Sequence, residues 1–318
     1  MTLLSEYLIE TFGCKVYKVA LNGGFTCPNR DGTIDTRGCI FCSAGGSGEF
    51  AEDAGLSITE QIEKGKRRVA SKVKDGRYIA YFQAYTGTYA PIEKLKKLYT
   101  EAIMHPDVVA ISIATRPDCI SDEVLDLLSE LNAIKPVWVE LGLQTVHDRT
   151  AEYIRRGYGL DVYNKAVRDL YRRNIEVITH VILGLPGESV DDMLETVRYV
   201  CDLGREMTGR RKSKSVPEMK SGVNATPCQQ MFGIKLQLLH VLKGTDLENE
   251  YNTGRFKVLT EDEYIEILKQ CVRIIPNEVV IHRLTGDGDK RILIAPLWSG
   301  DKKHVWNRIQ REVFAEKI

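Results

Sequence analysis

The chain of 318 residues is 43% hydrophobic and 28% charged, and its 44 basic side chains are balanced by 44 acidic ones. That size suits one large α/β domain or two ordinary ones, and the zero balance excludes a global electrostatic pull on nucleic acid, so such a partner would be held by local patches. No apolar run approaches the ~20 residues that span a bilayer. The N-terminus carries Glu6 and Glu10 in a short helical pattern without the basic start or cleavage site of a signal peptide, which makes the cytoplasm the expected location.

Apolar, β-branched runs alternate with helical patterns along the chain. Val16–Leu21 (VYKVAL) reads as a strand, followed by a glycine-rich loop over residues 22–50 and a helix from about Ser57 to Val73. Tyr78–Gln83 is a second strand, with a helix from Pro91 to about Met104, and Val108–Ala114 a third. The next helix opens at Ser121, a good N-cap, with Asp122 and Glu123 suited to the positive helix end. Val137–Leu143 is the fourth strand, with helical segments from about His147 and Asp161; Glu176–Leu183 is the fifth, leading to a helix that reaches about Arg205. Gly233–Leu239 is the sixth.

Near-continuous apolar strands separated by helices mean a parallel sheet covered on both faces, and six units in series favour a TIM-like partial (β/α)6 barrel. Residues 1–244 read as this barrel, and residues 245–318 as an appended C-terminal α/β region covering it. That region holds a helix from about Glu261 to Ile275, strands at Val279–His282 and Ile292–Ala295, and a final helix from about Lys302. Residues 205–231 interrupt the alternation as a polar, basic insertion, either a solvated loop or a flap that contacts phosphates.

Eight cysteines in a chain of this kind argue against a disulfide framework. Three of them, Cys27, Cys39 and Cys42, share the loop after the first strand, a position at the ligand-binding face of a barrel. Three thiolates hold three corners of a cubane iron–sulfur cluster and leave the fourth iron open. Structural zinc is the competing reading, but zinc takes four ligands, usually as two pairs, and no second C-x-x-C pair is present.

The chain resembles the radical S-adenosylmethionine (SAM) enzymes, and within them the YhcC/YtqA-type proteins, relatives of the catalytic subunit of Elongator. The resemblance is carried by GFTCPNRDG at Gly24–Gly32, GCIFC at Gly38–Cys42, QAYTGTYAP at Gln83–Pro91, TRPDC at Thr115–Cys119, ELGLQT at Glu140–Thr145, HVILGLPGE at His180–Glu188 and HRLTGDG at His282–Gly288. Most of the superfamily has C-x-x-x-C-x-x-C; the longer gap between Cys27 and Cys39 is a property of this subgroup.

The resemblance implies a 4Fe–4S cluster on Cys27, Cys39 and Cys42, with SAM on the open iron. It implies Phe41 near the adenine, Gln83, Ala84 and Tyr85 at the SAM ammonium, Thr115 and Arg116 at its carboxylate, Gln144 at the ribose, and Ile182, Gly184 and Leu185 along the adenine. Each has a plainer alternative: Arg116 pairs with Asp118, Gln144 caps its strand, and His180 is either a core histidine or a substrate contact. Cys119 is either a hydrogen-atom donor or a packed thiol; it, His180 and Tyr85 are the candidate catalytic residues. The implied reaction takes one electron from a flavodoxin- or ferredoxin-like donor, cleaves SAM to a 5′-deoxyadenosyl radical, and abstracts hydrogen from substrate. The implied substrate is tRNA wobble uridine, its 5-carboxymethylaminomethyl side chain being converted to the aminomethyl form; the alternatives are a radical SAM enzyme on a small molecule or protein, or a non-enzymatic zinc or iron–sulfur binding module. Lys302, Lys303, His304, Arg308, Arg311, Trp298 and Trp306 are compatible with RNA contact, or form a solvated helix with its tryptophans in the core.

Overall fold

A computed structural model describes residues 1–72, 76–212, 231–286 and 288–314. In chain order the elements are β1 (Thr2–Leu3), α1 (Leu4–Phe12), β2 (Val16–Leu21), α2 (Ile58–Val69), β3 (Arg77–Phe82), α3 (Ile92–Met104), β4 (Val108–Thr115), α4 (Asp122–Asn132), β5 (Val137–Gln144), α5 (Asp148–Tyr153), α6 (Leu160–Arg172), β6 (Glu176–Leu183), α7 (Val190–Lys212), β7 (Phe232–Leu238), β8 (Val241–Leu242), α8 (Asp246–Asn252), α9 (Glu261–Ile274), β9 (Val279–Arg283), β10 (Leu293–Ala295) and α10 (Lys302–Arg308). Eight strands form one sheet in the order β1-β9-β7-β6-β5-β4-β3-β2, every neighbouring pair parallel, and it curls as an open half-barrel.

All six expected barrel strands are present, and two more extend the sheet. The strand expected at Val279–His282 is β9, which pairs with β7, and the two-residue β1 pairs with β9. β8 and β10 form a separate antiparallel ribbon. Among the described residues no helix is long and apolar enough to cross a membrane.

Helix starts follow the cap chemistry. The Ser57 and Thr260 hydroxyls accept from the amides of Glu60 and Glu263, whose carboxylates reach back, and Ser121 accepts from the Val124 amide. The helix expected to stop near Arg205 runs instead to Lys212, because residues 205–212 hold no breaker other than Gly209. Residues 213–230 of the basic insertion, Cys228 included, lie outside the described residues.

Alternate side chains of each strand point to opposite faces. Outward-facing residues such as Phe82, Ile113, Val139 and Leu236 join Tyr99, Leu128, Tyr163 and Leu268 of the surrounding helices in the main core. On the inner face, Ile79, Ala110, Trp138, Ile178 and Val280 form an apolar floor against Leu8 of α1. That floor closes the end of the half-barrel at the strand N-termini, leaving the C-terminal ends to form a cavity.

Candidate active site

The cysteine loop is built by hydrogen bonds that its own sequence supplies. The Cys27 carbonyl accepts from the amides of Arg30 (2.8 Å) and Asp31 (3.1 Å), and the Cys42 amide donates to the Cys39 carbonyl (3.0 Å). Arg30 clamps the two halves, donating to the carbonyls of Cys42 and Ser43 at 2.7 Å each. Buried Asn29 anchors the loop to the barrel through the Arg155 carbonyl (2.7 Å) and approaches Cys39 Sγ at 3.6 Å.

The loop then passes over the end of β3. The Tyr85 hydroxyl donates to the Ala44 carbonyl (2.6 Å) and the Gln83 amide to the Ser47 carbonyl (2.8 Å). Two glycines are required by this approach: a Cβ on Gly46, whose φ is +59°, would lie 2.4 Å from the Tyr85 ring, and one on Gly48 would lie 2.5 Å from the Ala84 Cβ.

A cavity of about 400 Å³ lies beneath the loop at the C-terminal ends of the strands. Cys27, Cys39, Cys42 and Phe41 form one wall; Gln83, Tyr85, Thr115 and Arg116 line it from β3 and β4; Gln144, His180 and Ile182 line it from β5 and β6. Tyr85 and Gln144 take positive φ (58° and 63°), a backbone conformation uncommon for such residues and often found at functional sites. Four predicted positions are not in the lining. Ala84 is buried behind Tyr85, and Leu185 packs with Ile40, Ile182 and Leu239 in a small core that also contacts Phe41. Gly184 lies beside Leu259. Cys119 faces a second depression with Thr88 and Ile120, and its carbonyl accepts from the Thr88 hydroxyl at 2.6 Å.

The three thiols are half-buried and line the same cavity. Burial foremost, then the charge of Cys42, pushes Cys39 up to about 12, and burial raises Cys42 as well. Three soft sulfur donors on one cavity wall fit an iron–sulfur group, which takes thiolate ligands. A cationic wall faces them: the guanidiniums of Arg116 and Arg156 each lie 4.9 Å from the centre of the Tyr158 ring. Arg116 is held by Asp118 in two bonds (2.9 and 2.7 Å) and donates to the Arg156 carbonyl (3.0 Å). Arg156 donates to the carbonyls of Leu143, Thr145 and Tyr158, while its other terminal nitrogen is buried with no hydrogen-bond partner among the described residues. Sequence reading passed over Arg156 and Tyr158, which lie in the short, aperiodic segment between α5 and α6.

A second missed group lies one layer lower. The Glu140 side chain is fully buried and each oxygen accepts twice: Oε1 from Lys18 (2.6 Å) and Ser112 (2.6 Å), Oε2 from His180 Nε2 (2.7 Å) and Lys235. Burial works to raise the Glu140 pKa, but the charges of Lys18 and Lys235 and the His180 hydrogen bond hold it well below the usual range. Burial and the Lys235 charge lower His180 to about 4, so its ring is neutral at pH 7. The network assigns the proton to Nε2, facing Glu140, while Nδ1 accepts from the Gln237 amide (3.4 Å).

Comparison with known proteins gives the family. Residues 32–200 match the Radical SAM superfamily and residues 231–314 the Radical_SAM C-terminal domain. The chain belongs to the radical SAM superfamily. It is 44% identical over 310 residues, 98% of this chain and 88% of the relative, to the uncharacterised protein YtqA of Bacillus subtilis. It is 25% identical over 186 residues to the tRNA uridine(34) acetyltransferase of Methanocaldococcus infernus, which covers 58% of this chain and 30% of that protein. The structure of an N-terminally truncated Elp3 from Methanocaldococcus infernus superposes with a TM-score of 0.63 at 18% identity, over 93% of this chain and 63% of that one, and shows the same fold. As a radical SAM enzyme, this protein uses a 4Fe–4S cluster and S-adenosylmethionine.

Proposed function

We infer that Cys27, Cys39 and Cys42 hold the 4Fe–4S cluster and that this enzyme acts on the wobble uridine of tRNA, converting a 5-carboxymethylaminomethyl side chain to the aminomethyl form. The observation that carries the cluster assignment is the convergence of the three thiols on the cavity that Gln83, Thr115, Gln144 and Ile182 also line. When bound, cluster and SAM supply a 5′-deoxyadenosyl radical from one electron, for which a flavodoxin- or ferredoxin-like protein is the proposed donor. The chain's own residues hold the reactants in line. Phe41 and Ile182 offer apolar surface for an adenine, Gln144 and Gln83 offer amide groups to SAM, and the loop roofs the cavity against water. Arg156, with an uncommitted donor, is better prepared than Arg116 to bind a carboxylate, because Asp118 already occupies Arg116.

The tRNA assignment is supported by the likeness to a tRNA uridine(34) acetyltransferase over 58% of this chain. The C-terminal helix gives less support, since Arg308 is shared among Glu261, Asp262 and Glu312, Arg311 sits on Glu312, and Trp298 packs on Tyr264 and donates to the Leu259 carbonyl. Trp306 is 43% exposed and available for stacking.

Two experiments test the proposal. Anaerobic reconstitution with iron, sulfide, SAM and a reductant should yield 5′-deoxyadenosine, and Cys39→Ala should lose both cluster absorbance and product. Retention of the cluster in that variant would overturn the ligand assignment. Mass spectrometry of tRNA nucleosides from a deletion strain should show the carboxymethylaminomethyl form accumulating; an unchanged wobble position would reject the RNA substrate.

A further inference from the structure

The inner face of a barrel at mid-height is usually filled by branched aliphatic side chains. Here that layer carries Lys18 from β2, Tyr81 from β3, Ser112 from β4, Glu140 from β5, His180 from β6 and Lys235 from β7. Two ammonium groups share one carboxylate, Glu140, whose four hydrogen bonds leave it no further capacity. Lys18 and Lys235 also stack on the Tyr81 ring, at 4.9 and 4.7 Å from its centre. Taking an ion out of water costs several kcal/mol even after relaxation, so a second buried cation is expensive unless something offsets it.

The surplus faces the cavity. Lys18, His180, Gln237 and Arg283 all line it, whereas Lys235 is buried behind them with 4% of its side chain exposed. The positive charge of Arg283, at the end of β9, acts on Lys18, His180 and Lys235 alike. Neutral His180 and the Gln237 amide add polarity without charge. With Lys18 on the cavity side and Lys235 only partly protonated near pH 7, the Lys18–Glu140–Lys235 group carries at most one positive unit, which suits a monoanion. A phosphate dianion would be disfavoured by the fixed Glu140 charge and by the apolar floor, which includes Trp138, directly below.

We propose that this layer is a subsite for a carboxylate on the substrate, with Lys18 and Arg283 as the contacting cations and the Lys235–Glu140 pair as the group that aims Lys18. The proposal rests on the reading of the cavity as the radical SAM active site, and it deepens the substrate assignment, because a 5-carboxymethylaminomethyl side chain ends in a carboxylate. Such a charge-assisted contact would hold the group at the bottom of the cavity and place the rest of the side chain nearer the cysteine wall.

The test is saturation-transfer difference NMR on the anaerobically reconstituted, unreduced holoprotein with SAM, so that no turnover occurs. Two probe pairs are titrated: 5-carboxymethylaminomethyluridine against its methyl ester, and N-methylglycine against N-methylglycinamide. The acid of each pair should bind about tenfold more tightly than its partner without the carboxylate, the equivalent of one good charged contact. Lys18→Met should abolish that preference, and Lys18→Arg, which keeps the charge and controls for folding, should retain it. Equal binding of the acid and of its partner without the carboxylate in both pairs, or a preference that survives in Lys18→Met, would overturn the subsite. A preference confined to the N-methylglycine pair, with neither nucleoside bound, would support the carboxylate subsite while rejecting the uridine substrate.

Discussion

Replacing Glu140 by Gln removes the one negative charge that Lys18 and Lys235 share while keeping shape and some hydrogen bonding. With charge centres about 4 Å apart and an effective dielectric of about 20, each lysine loses roughly 4 kcal/mol of attraction, about 8 kcal/mol in all. The chain recovers part of this by shedding a proton. Lys235, already lowered to about 7 mainly by burial, deprotonates readily near neutral pH once Glu140 no longer supports its charge. The expected net loss is therefore about 3–5 kcal/mol, the range for breaking a buried ion pair on one side. Urea unfolding followed by circular dichroism, on proteins matched for iron content, reads this as a lower midpoint at constant slope. The double variant Glu140→Gln/Lys235→Met should lie about 1–2 kcal/mol above Glu140→Gln alone, because the stranded cation is gone. A loss below about 1 kcal/mol in Glu140→Gln, the size of an exposed pair, would refute the claim that the network is buried and coupled.

Three further outcomes follow from single sites. Burial raises Glu176 to about 7, so between pH 4.5 and 7 the folded chain keeps a proton that the unfolded chain has released. Stability should then fall by about 3 kcal/mol as pH rises through that window, and Glu176→Gln should flatten the slope; parallel pH curves for the two proteins would count against it. Gly48→Ala puts a methyl group 3.0 Å from the Ala84 Cα and the Gly45 carbonyl oxygen, both backbone, so the cysteine loop should unseat and iron content after reconstitution should drop with little change in melting temperature. Asn29→Ala strips the buried amide from the Arg155 carbonyl; a cost of about 1–3 kcal/mol and faster cluster loss on dilution are expected, and unchanged cluster lifetime would show that the anchor is dispensable.

The parts of the site that the sequence revealed were those whose chemistry is local. Cys27, Cys39 and Cys42 stood out because three thiols in one glycine-rich loop have few uses, and Gln83, Thr115, Gln144 and Ile182 because they end apolar strands at the face where a barrel binds ligands. Arg116 lines the cavity, and its bidentate bond to Asp118, two residues away, is a local contact that the TRPDC run already offered. Arg156 and Tyr158 carried no periodic signal. Glu140, Lys18 and Lys235 did carry one: each is a lone charge in an otherwise apolar strand (VWVELGL, VYKVAL, GIKLQLL), a pattern that alternation assigns to the inner face.

By itself, the sequence determined the alternation of strand and helix, the parallel sheet, the helix caps and the cysteine loop, because each depends on side-chain periodicity or on neighbours a few residues away. Tertiary structure alone decided that β9 and β1 extend the sheet, that Cys119 faces a different depression from the other three thiols, and that Lys18 and Lys235 meet at Glu140. The Lys18–Glu140 and Lys235–Glu140 contacts join residues 122 and 95 positions apart, and β1 pairs with a strand near the other end of the chain; pairing over such distances leaves no mark in local composition.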